Sequence, residues 1–446
     1  MGWALVALAA AAFGVVSWLA WGGKLGFLAI GALLASAGFY FAGRRKIDPK
    51  IRGKVDMAAK VLFTIVGCMA LLRHPIEIEG GAKEPIVTAI SMYIDQVDSA
   101  TFFKWALVAM LVKFVGVISS AYAWHLLLKG QGIRYPFWSK IMTAFLIGRF
   151  IGTFLPSTLG LDGYTLYEAG KYSNQWARAI TAKALEKFIG VTGLFLGMVV
   201  TLPFGYQVIV DVMTKAGKPE AAPLLAGAIL AVAGGISLFV VAGLAWPTII
   251  QFIMGIVEKV TGVVAGIGPL AKIRNRVLGL LRQFTEAVGA YRGKLGLLLL
   301  ALANKFVTHF TTAAVYFFTA LAIGVTTAEF WPITFGSTIQ ILATLLSPTI
   351  AGEGAREAFQ ALLLSEQLGG VAQAVLSGAL GFIAAEAATL WGGMFLWTRK
   401  AGWRPKFAEV DGVQVDYAWI DDEHDGGFDA EKIAAERAKA VDEAGS

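Results

Sequence analysis

The chain has 446 residues, of which 57% are hydrophobic and 15% charged, and its mean hydropathy is +0.66. A soluble domain carries about 25% charged residues, so this composition excludes a water-soluble globular fold. The net charge of +7 does not indicate nucleic-acid binding, because the basic residues cluster beside apolar runs, where they orient membrane helices. We therefore predict membrane lipids, and no nucleic acid, as partners; the oligomeric state is left open.

Apolar runs predict the membrane helices, since about 20 apolar residues cross the hydrocarbon core as a helix. The sequence has eight such runs, the first two of which form a hairpin: Trp3 to Trp21, Leu25 to Gly43, Met57 to Leu72, Ala106 to Leu128, Phe188 to Phe204, Ala222 to Trp246, Leu295 to Gly324 and Val371 to Thr398. We predict an all-α polytopic membrane protein with about eight transmembrane helices.

The loops predict the orientation, because lysine and arginine accumulate on the cytoplasmic side. Residues 43–60 and 247–294 are strongly basic, and residues 74–100 are acidic. This pattern places both termini in the cytoplasm of a multi-pass protein of the cell (inner) membrane. It holds only if two further stretches, residues 141–160 and 332–364, are re-entrant hairpins. In the alternative, residues 141–160 cross fully and leave several basic side chains outside.

The two predicted hairpins resemble each other. Residues 155–163 and 347–354 both contain a proline, then small residues, then a carboxylate followed by glycine. Downstream, Ala184 and Leu185 match Ala379 and Leu380 at a constant offset of 195. Similar halves of opposite orientation form an inverted-topology pseudo-repeat, which is typical of secondary transporters that bind substrate near the membrane midplane.

Ionisable residues inside apolar segments are candidates for function, because a charge in hydrocarbon is costly. Six residues in and beside the hairpins are predicted to bind substrate: Arg149, Ser157, Asp162, Glu353, Arg356 and Glu357. Four more are predicted to be coupling or structural charges: Lys113, Glu186, His309 and Glu386. Mutual pairing within the bundle is the alternative. The single cysteine and four scattered histidines form no metal-binding motif, so we predict no metal and no cofactor.

Three short motifs carry a resemblance to a known family: residues 154–163, residues 184–190, and residues 347–358 with their Gly-Glu-Gly-Ala-Arg-Glu-Ala segment. Residues from about 100 to 400 resemble the flippase-like membrane domain, also called the lysylphosphatidylglycerol synthase transmembrane region. The resemblance implies movement of lipids or lipid-linked groups between leaflets. Members often carry an arginine after the first Gly-Asp element, where this chain has Tyr164, Thr165 and Leu166.

We divide the chain into an N-terminal part (1–100, a hairpin, a short third span and an external segment), the flippase-like domain (101–400) and an acidic cytoplasmic tail (401–446). The predicted function is translocation of a lipid or lipid-linked anionic substrate at a midplane site formed by the two hairpins, without enzymatic activity. Two alternatives remain: a membrane-embedded enzyme whose carboxylates act on a lipid-phosphate as general acid and base, or a non-transporting scaffold of a lipid or glycan assembly complex.

Overall fold

A computed structural model of the chain describes residues 2–21, 27–78, 81–134, 136–154, 159–261, 268–347, 349, 352–398, 409–410 and 413–414. Nearly all of these residues are helical. The α-helices in chain order are α1 (Gly2–Trp21), α2 (Phe27–Arg44), α3 (Pro49–Arg73), α4 (Ile86–Ile94), α5 (Ser99–Gly130), α6 (Thr143–Phe154), α7 (Leu159–Ser173), α8 (Trp176–Lys215), α9 (Ala222–Ala245), α10 (Pro247–Val260), α11 (Gly268–Gly289), α12 (Leu295–Ala322), α13 (Phe330–Leu346), α14 (Ala355–Leu364), α15 (Val371–Leu390) and α16 (Met394–Thr398).

Short elements complete the described chain. Strands β1 (Pro75–Glu77) and β2 (Lys83–Pro85) pair antiparallel, with Ile76 opposite Glu84, and β3 (Glu409–Val410) pairs with β4 (Val413–Gln414). A π-helical turn at Phe137–Met142 precedes α6, and 3₁₀ turns at Pro219–Ala221 and Trp391–Gly393 precede α9 and α16. Apart from β3 and β4, the predicted acidic tail lies outside the described residues.

Seven helical segments of the described chain are long and apolar enough to cross a membrane: Gly2–Leu19, Ile51–Arg73, Ser99–Gly130, Trp176–Lys215, Pro219–Ala245, Leu295–Ala322 and Val371–Leu396. The prediction of an all-α polytopic membrane protein is confirmed. The predicted crossing that is missing from these seven is the second one, Leu25 to Gly43. It corresponds to α2, an 18-residue helix that packs against α1.

Helix α5 shows how the sequence fits a lipid environment. Leu107, Leu111 and Val115 follow one another at intervals of four residues and are exposed, so they form an apolar stripe. Lys113 and Val117 lie on the buried side of the same helix. The helix begins after Asp98, whose Oδ2 accepts a hydrogen bond from the Thr101 N–H at 2.7 Å. This hydrogen bond holds the pKa of Asp98 below its ordinary value.

The described chain falls into two compact units. Unit 1 contains Met1–Met110, Thr201–Leu225 and Ala313–Ala384; unit 2 contains Leu111–Val200, Ala226–Thr312 and Ala385–Ser446. The hairpin of α13 and α14 belongs to unit 1, and the hairpin of α6 and α7 belongs to unit 2.

Both hairpins are made of short helices in close contact. Helix α13, with 17 residues, is the longest of the four, and at about 1.5 Å per residue it is shorter than a hydrocarbon core of about 30 Å. Glycines bring α6 and α7 together, because a Cβ atom on Gly160 would lie 2.4 Å from the Gly152 backbone. In unit 1, Gly336 of α13 packs directly against Leu364 of α14.

The close contact of α6 and α7 predicts that Gly160→Ala destabilises the protein by about 1–3 kcal/mol, because the added methyl group overpacks a backbone-to-backbone contact. Thermal unfolding in detergent measures this change. Gly163→Ala on the same helix is the matched control, since nothing lies within 4 Å of its added Cβ, and it should raise stability by about 0.5–1 kcal/mol. Equal effects of the two substitutions would contradict this packing.

Candidate functional site

Among the described residues of unit 2, the largest group of interacting charges is centred on Glu186, and we call it the Glu186 cluster (Asp162, Lys183, Glu186, Lys187 and Lys305). Glu186 is 5% exposed, and its two carboxylate oxygens accept hydrogen bonds from Lys183 Nζ at 2.5 Å and Lys305 Nζ at 2.6 Å. Asp162 pairs with Lys183 at 3.7 Å and accepts a hydrogen bond from Lys187, which is half exposed. The three buried members are two lysines and one glutamate, and the partly buried Asp162 supplies the second anion that balances them.

Three helices assemble this cluster. Helix α8 contributes Lys183, Glu186 and Lys187 on one face, at spacings of three and four residues, and α7 contributes Asp162 in its first turn. Lys305 comes from the middle of α12, which approaches α8 closely because Gly193 has no side chain; a Cβ there would lie 2.7 Å from the Lys305 backbone.

The two lysines of the Glu186 cluster also have neutral partners. Lys183 donates to Thr165 Oγ1 at 3.0 Å and lies 3.9 Å from the centre of the Trp124 ring. Lys305 donates to Ser120 Oγ at 2.8 Å. A buried ion network with this many hydrogen bonds is well suited to hold three helices in register.

A second group in unit 2, the Arg149 cluster, contains Lys113, Arg149, Thr153, Glu386 and Thr389. Arg149 donates to Glu386 Oε1 and to Thr389 Oγ1, both at 3.1 Å, and Thr153 donates to Glu386 Oε2 at 2.5 Å. Lys113, 8% exposed, donates to the neutral hydroxyl of Thr312 at 2.9 Å and is close enough to interact electrostatically with Arg149 and Glu386. Two cations thus face one carboxylate.

The third group lies in unit 1 and is electrically neutral. We call it the Arg356 pair (Arg356 and Glu357). Arg356 donates through Nε and Nη2 to Glu357 Oε1, at 2.9 and 2.6 Å, and its guanidinium lies 4.1 Å from the Phe382 ring centre. Glu357 Oε2 accepts the Gly354 N–H at 2.7 Å, so the pair also closes the first turn of α14.

Glycine gives the turn before α14 its shape. Gly352 and Gly354 have φ angles of +74° and +76°, a conformation that favours glycine. Cys68 of α3 lies 3.2 Å from where a Gly354 Cβ would be, and the partly buried Glu353 is close to the same cysteine. The Gly-Glu-Gly segment found in the sequence is therefore the N-terminal turn of α14, with α3 packed against it.

The structure brings some of the predicted site residues together and separates others. Arg149 pairs with Glu386, and Asp162 instead joins the Glu186 cluster. His309 is partly buried on α12, next to the backbone of Gly190. Ser157 lies outside the described residues. The substrate and coupling roles assigned to all these residues stay predictions.

Sequence reasoning missed several buried polar residues that matter here, among them Lys183, Lys305, Gln340 and Gln360. Lys305 had a visible signal, because it lies ten residues into the apolar run that begins at Leu295. Lys183 was missed because the predicted span began at Phe188, whereas α8 begins at Trp176. Among the described residues, no group of three or more histidine, cysteine or acidic side chains is arranged to hold a metal ion.

Comparison with known protein families matches residues 87–395 to the family described as Lysylphosphatidylglycerol synthase TM region. The chain belongs to this family. The match covers more than two-thirds of the chain and confirms the resemblance drawn from the three motifs. The family is a lipid-related family of membrane proteins. The matched region contains all three charge groups, and α1 to α3 precede it. Searches of curated proteins and of solved structures found no match.

In the Glu186 cluster, two buried lysines share the carboxylate of Glu186. We therefore predict that Glu186→Gln lowers the free energy of unfolding by about 3–5 kcal/mol, because both lysines lose this partner. Adding Lys305→Met to this variant should restore part of the loss, since Lys183 still faces Asp162. Denaturation in detergent of the single and double variants measures the coupling.

The exposed pair of Arg282 and Glu258 is the control for the Glu186 cluster, because Glu258→Gln should change stability by less than about 1 kcal/mol. A Glu186→Gln protein as stable as the Glu258→Gln protein would contradict the assignment of a structural ion network.

Proposed function

We propose that this protein moves a lipid or lipid-linked substrate with an anionic headgroup between the two leaflets, without changing it chemically. The Arg149 cluster carries the proposal, because Lys113 and Arg149 face the single carboxylate Glu386. A buried charge without a counterion is costly. A phosphodiester headgroup carries one negative charge and would neutralise the excess cation of this cluster.

The geometry of Arg149 also fits a phosphate. Its Nε and Nη2 atoms donate to Thr389, Glu386 and the Ala385 carbonyl, whereas Nη1 makes no hydrogen bond to the described residues. A guanidinium binds phosphate with two adjacent N–H groups. In the proposed site, Nη1 and the Lys113 ammonium contact the phosphate oxygens, and Glu386 orients the arginine.

The Arg356 pair has a related proposed role. Arg356 contacts the headgroup phosphate during transfer, and Glu357 is its partner when no headgroup is bound. In this proposal Glu353 and Glu357 order Arg356 or carry protons that couple transport to an ion gradient. Asp162, whose partners are Lys183 and Lys187, has only the proton-carrying role. The shared midplane site of the two hairpins, predicted from the sequence, belongs to this proposal.

We also propose that both hairpins re-enter and that they belong to an inverted repeat. Helix α8, after the first hairpin, begins at Trp176, and α15, after the second, begins at Val371, so the starts differ by the same 195 residues as the sequence match. In unit 2, Arg178 donates to the Gln131 carbonyl at 3.5 Å. The chain therefore leaves α5 and enters α8 at neighbouring points, as expected for a segment that returns to its own side.

Transport of a fluorescent anionic phospholipid across proteoliposomes tests the function. We expect Lys113→Met to lower the rate at least tenfold, because it removes the excess positive charge. The protein should keep its stability, since Lys113 donates only to Thr312 among the described residues. Lys129→Met is the matched control: it removes the same charge from the exposed end of α5 and should leave the rate unchanged.

The same proteoliposomes separate the alternatives. Mass spectrometry of the lipids should find no new species; a new species would identify an enzyme. Transport unaffected by Lys113→Met would remove the Arg149 cluster from the mechanism and favour a scaffold whose activity depends on its loops.

Cysteine labelling tests the re-entrant topology. In a Cys68→Ala background, single cysteines at Lys129 and Arg178, both exposed, should react with an impermeant reagent from the same side of the membrane. That side should be the cytoplasm if both termini are inside. Labelling from opposite sides would mean that the α6–α7 segment crosses the bilayer.

A further inference from the structure

Unit 1 contains buried side chains whose polar atoms lack hydrogen-bond partners. Ser337 and Gln340 of α13 and Gln360 of α14, which we call the glutamine site, are each 0% exposed. Four of their atoms have no partner in the described part of the chain: Ser337 Oγ, Gln340 Oε1, and both Oε1 and Nε2 of Gln360. Buried polar atoms are almost always hydrogen-bonded, so four in one place need an explanation.

The packing of the hairpin brings these residues together. Helices α13 and α14 run antiparallel, and Gly336 of α13 contacts Leu364 of α14. One turn from this contact on each helix, Gln340 and Gln360 lie at the same level. Ser337 precedes Gln340 by three residues, so both belong to the same face of α13. Gly378 of α15 provides room for Gln360, whose Cβ would be 3.4 Å from a Cβ at that glycine.

Neighbouring polar groups show that the fold can satisfy buried hydroxyls here. Thr334 and Thr338 each donate to the carbonyl one turn earlier on α13. Thr319 and Ser377 hydrogen-bond to each other at 3.2 Å. Gln340 Nε2 reaches the Tyr316 hydroxyl at 3.3 Å, which leaves its Oε1 as an acceptor inside the site. In the described part of unit 1, the four atoms of the glutamine site and Arg52 Nε are the buried side-chain atoms without a hydrogen-bond partner, and only the glutamine site groups several of them.

We infer that the glutamine site binds the hydroxyl groups of a polyol headgroup, such as inositol or a sugar. A carboxamide offers both donors and an acceptor, and a hydroxyl is the small neutral group that donates and accepts. Arg356 lies four residues before Gln360 on α14, so a phosphate at the arginine would place the attached polyol along the same face. This inference rests on the proposed function, since it names the headgroup of the proposed lipid. The site is closed in this conformation, and binding requires α14 to separate from its neighbours, as alternating access would provide.

Lipid-dependent thermal stabilisation of the full-length protein in detergent tests this inference. The probes are phosphatidylinositol and phosphatidic acid: both carry a phosphate on the glycerol, and phosphatidic acid is a monoester without the polyol. We expect phosphatidylinositol to raise the Tm more than phosphatidic acid does at equal mole fraction. Gln360→Met keeps the shape and removes the amide; it should abolish the difference between the lipids while leaving the lipid-free Tm unchanged or higher, because it removes unsatisfied atoms.

Gln367→Met is the matched control, because Gln367 of the same unit is bonded to Asp211 at 2.9 Å; it should keep the preference for phosphatidylinositol. Equal stabilisation of the wild type by both lipids would overturn the inference. A preference that survives Gln360→Met would also overturn it. Binding is measured without translocation, so failure of the transport assay and failure of this test are distinguishable.

Discussion

The hydrocarbon of a bilayer offers no water to a polar group, and this constraint governs the buried polar side chains described above. Lys183, Glu186 and Lys305 satisfy it with short hydrogen bonds from three helices. The Arg356 pair satisfies it within one turn, because the carboxylate of Glu357 also accepts a backbone N–H. Where the constraint is met, a charge orders the fold. Where it is not met, an excess charge or an unsatisfied polar atom remains, and these are the places for which we propose a ligand.

Glycine determines where such charges can meet. Gly193 lets the backbone of α12 approach α8, and Gly160 lets α7 approach α6. Each close approach shortens the distance that a side chain must cover, so the long side chain of Lys305 can reach both Ser120 and Glu186. Small residues at helix contacts are the usual device in membranes, where burial of apolar surface does not drive helices together.

The fold class could be predicted from the sequence, because the thickness of the hydrocarbon sets the length of a membrane helix. Apolar runs of that length are directly visible in the sequence. The sequence also identified Arg149, Arg356 and Glu386 as charges within apolar segments, because a charge there is conspicuous; Arg356 is buried and the other two are partly buried. It could not identify their partners, since Arg149 and Glu386 are 237 residues apart and meet only through tertiary packing. The glutamines escaped notice because an amide carries no charge, and its unsatisfied atoms appear only once the neighbouring helices are in place.

The polar groups of the two units differ in a way that bears on the proposed transport. In unit 2 the partly buried Asp162 balances the buried Lys183, Glu186 and Lys305, whereas the Arg149 cluster keeps an excess cation. In unit 1 the Arg356 pair is neutral, and the unsatisfied atoms belong to uncharged amides and a hydroxyl. A carrier must bind its substrate without holding it permanently, and a fully charged site would hold an anion too firmly in a low dielectric. In the headgroup site proposed for unit 1, charge recognition at Arg356 is separate from neutral hydrogen bonding at Gln340 and Gln360. Each interaction then stays moderate, so that a phosphate and its attached polyol can be released one after the other.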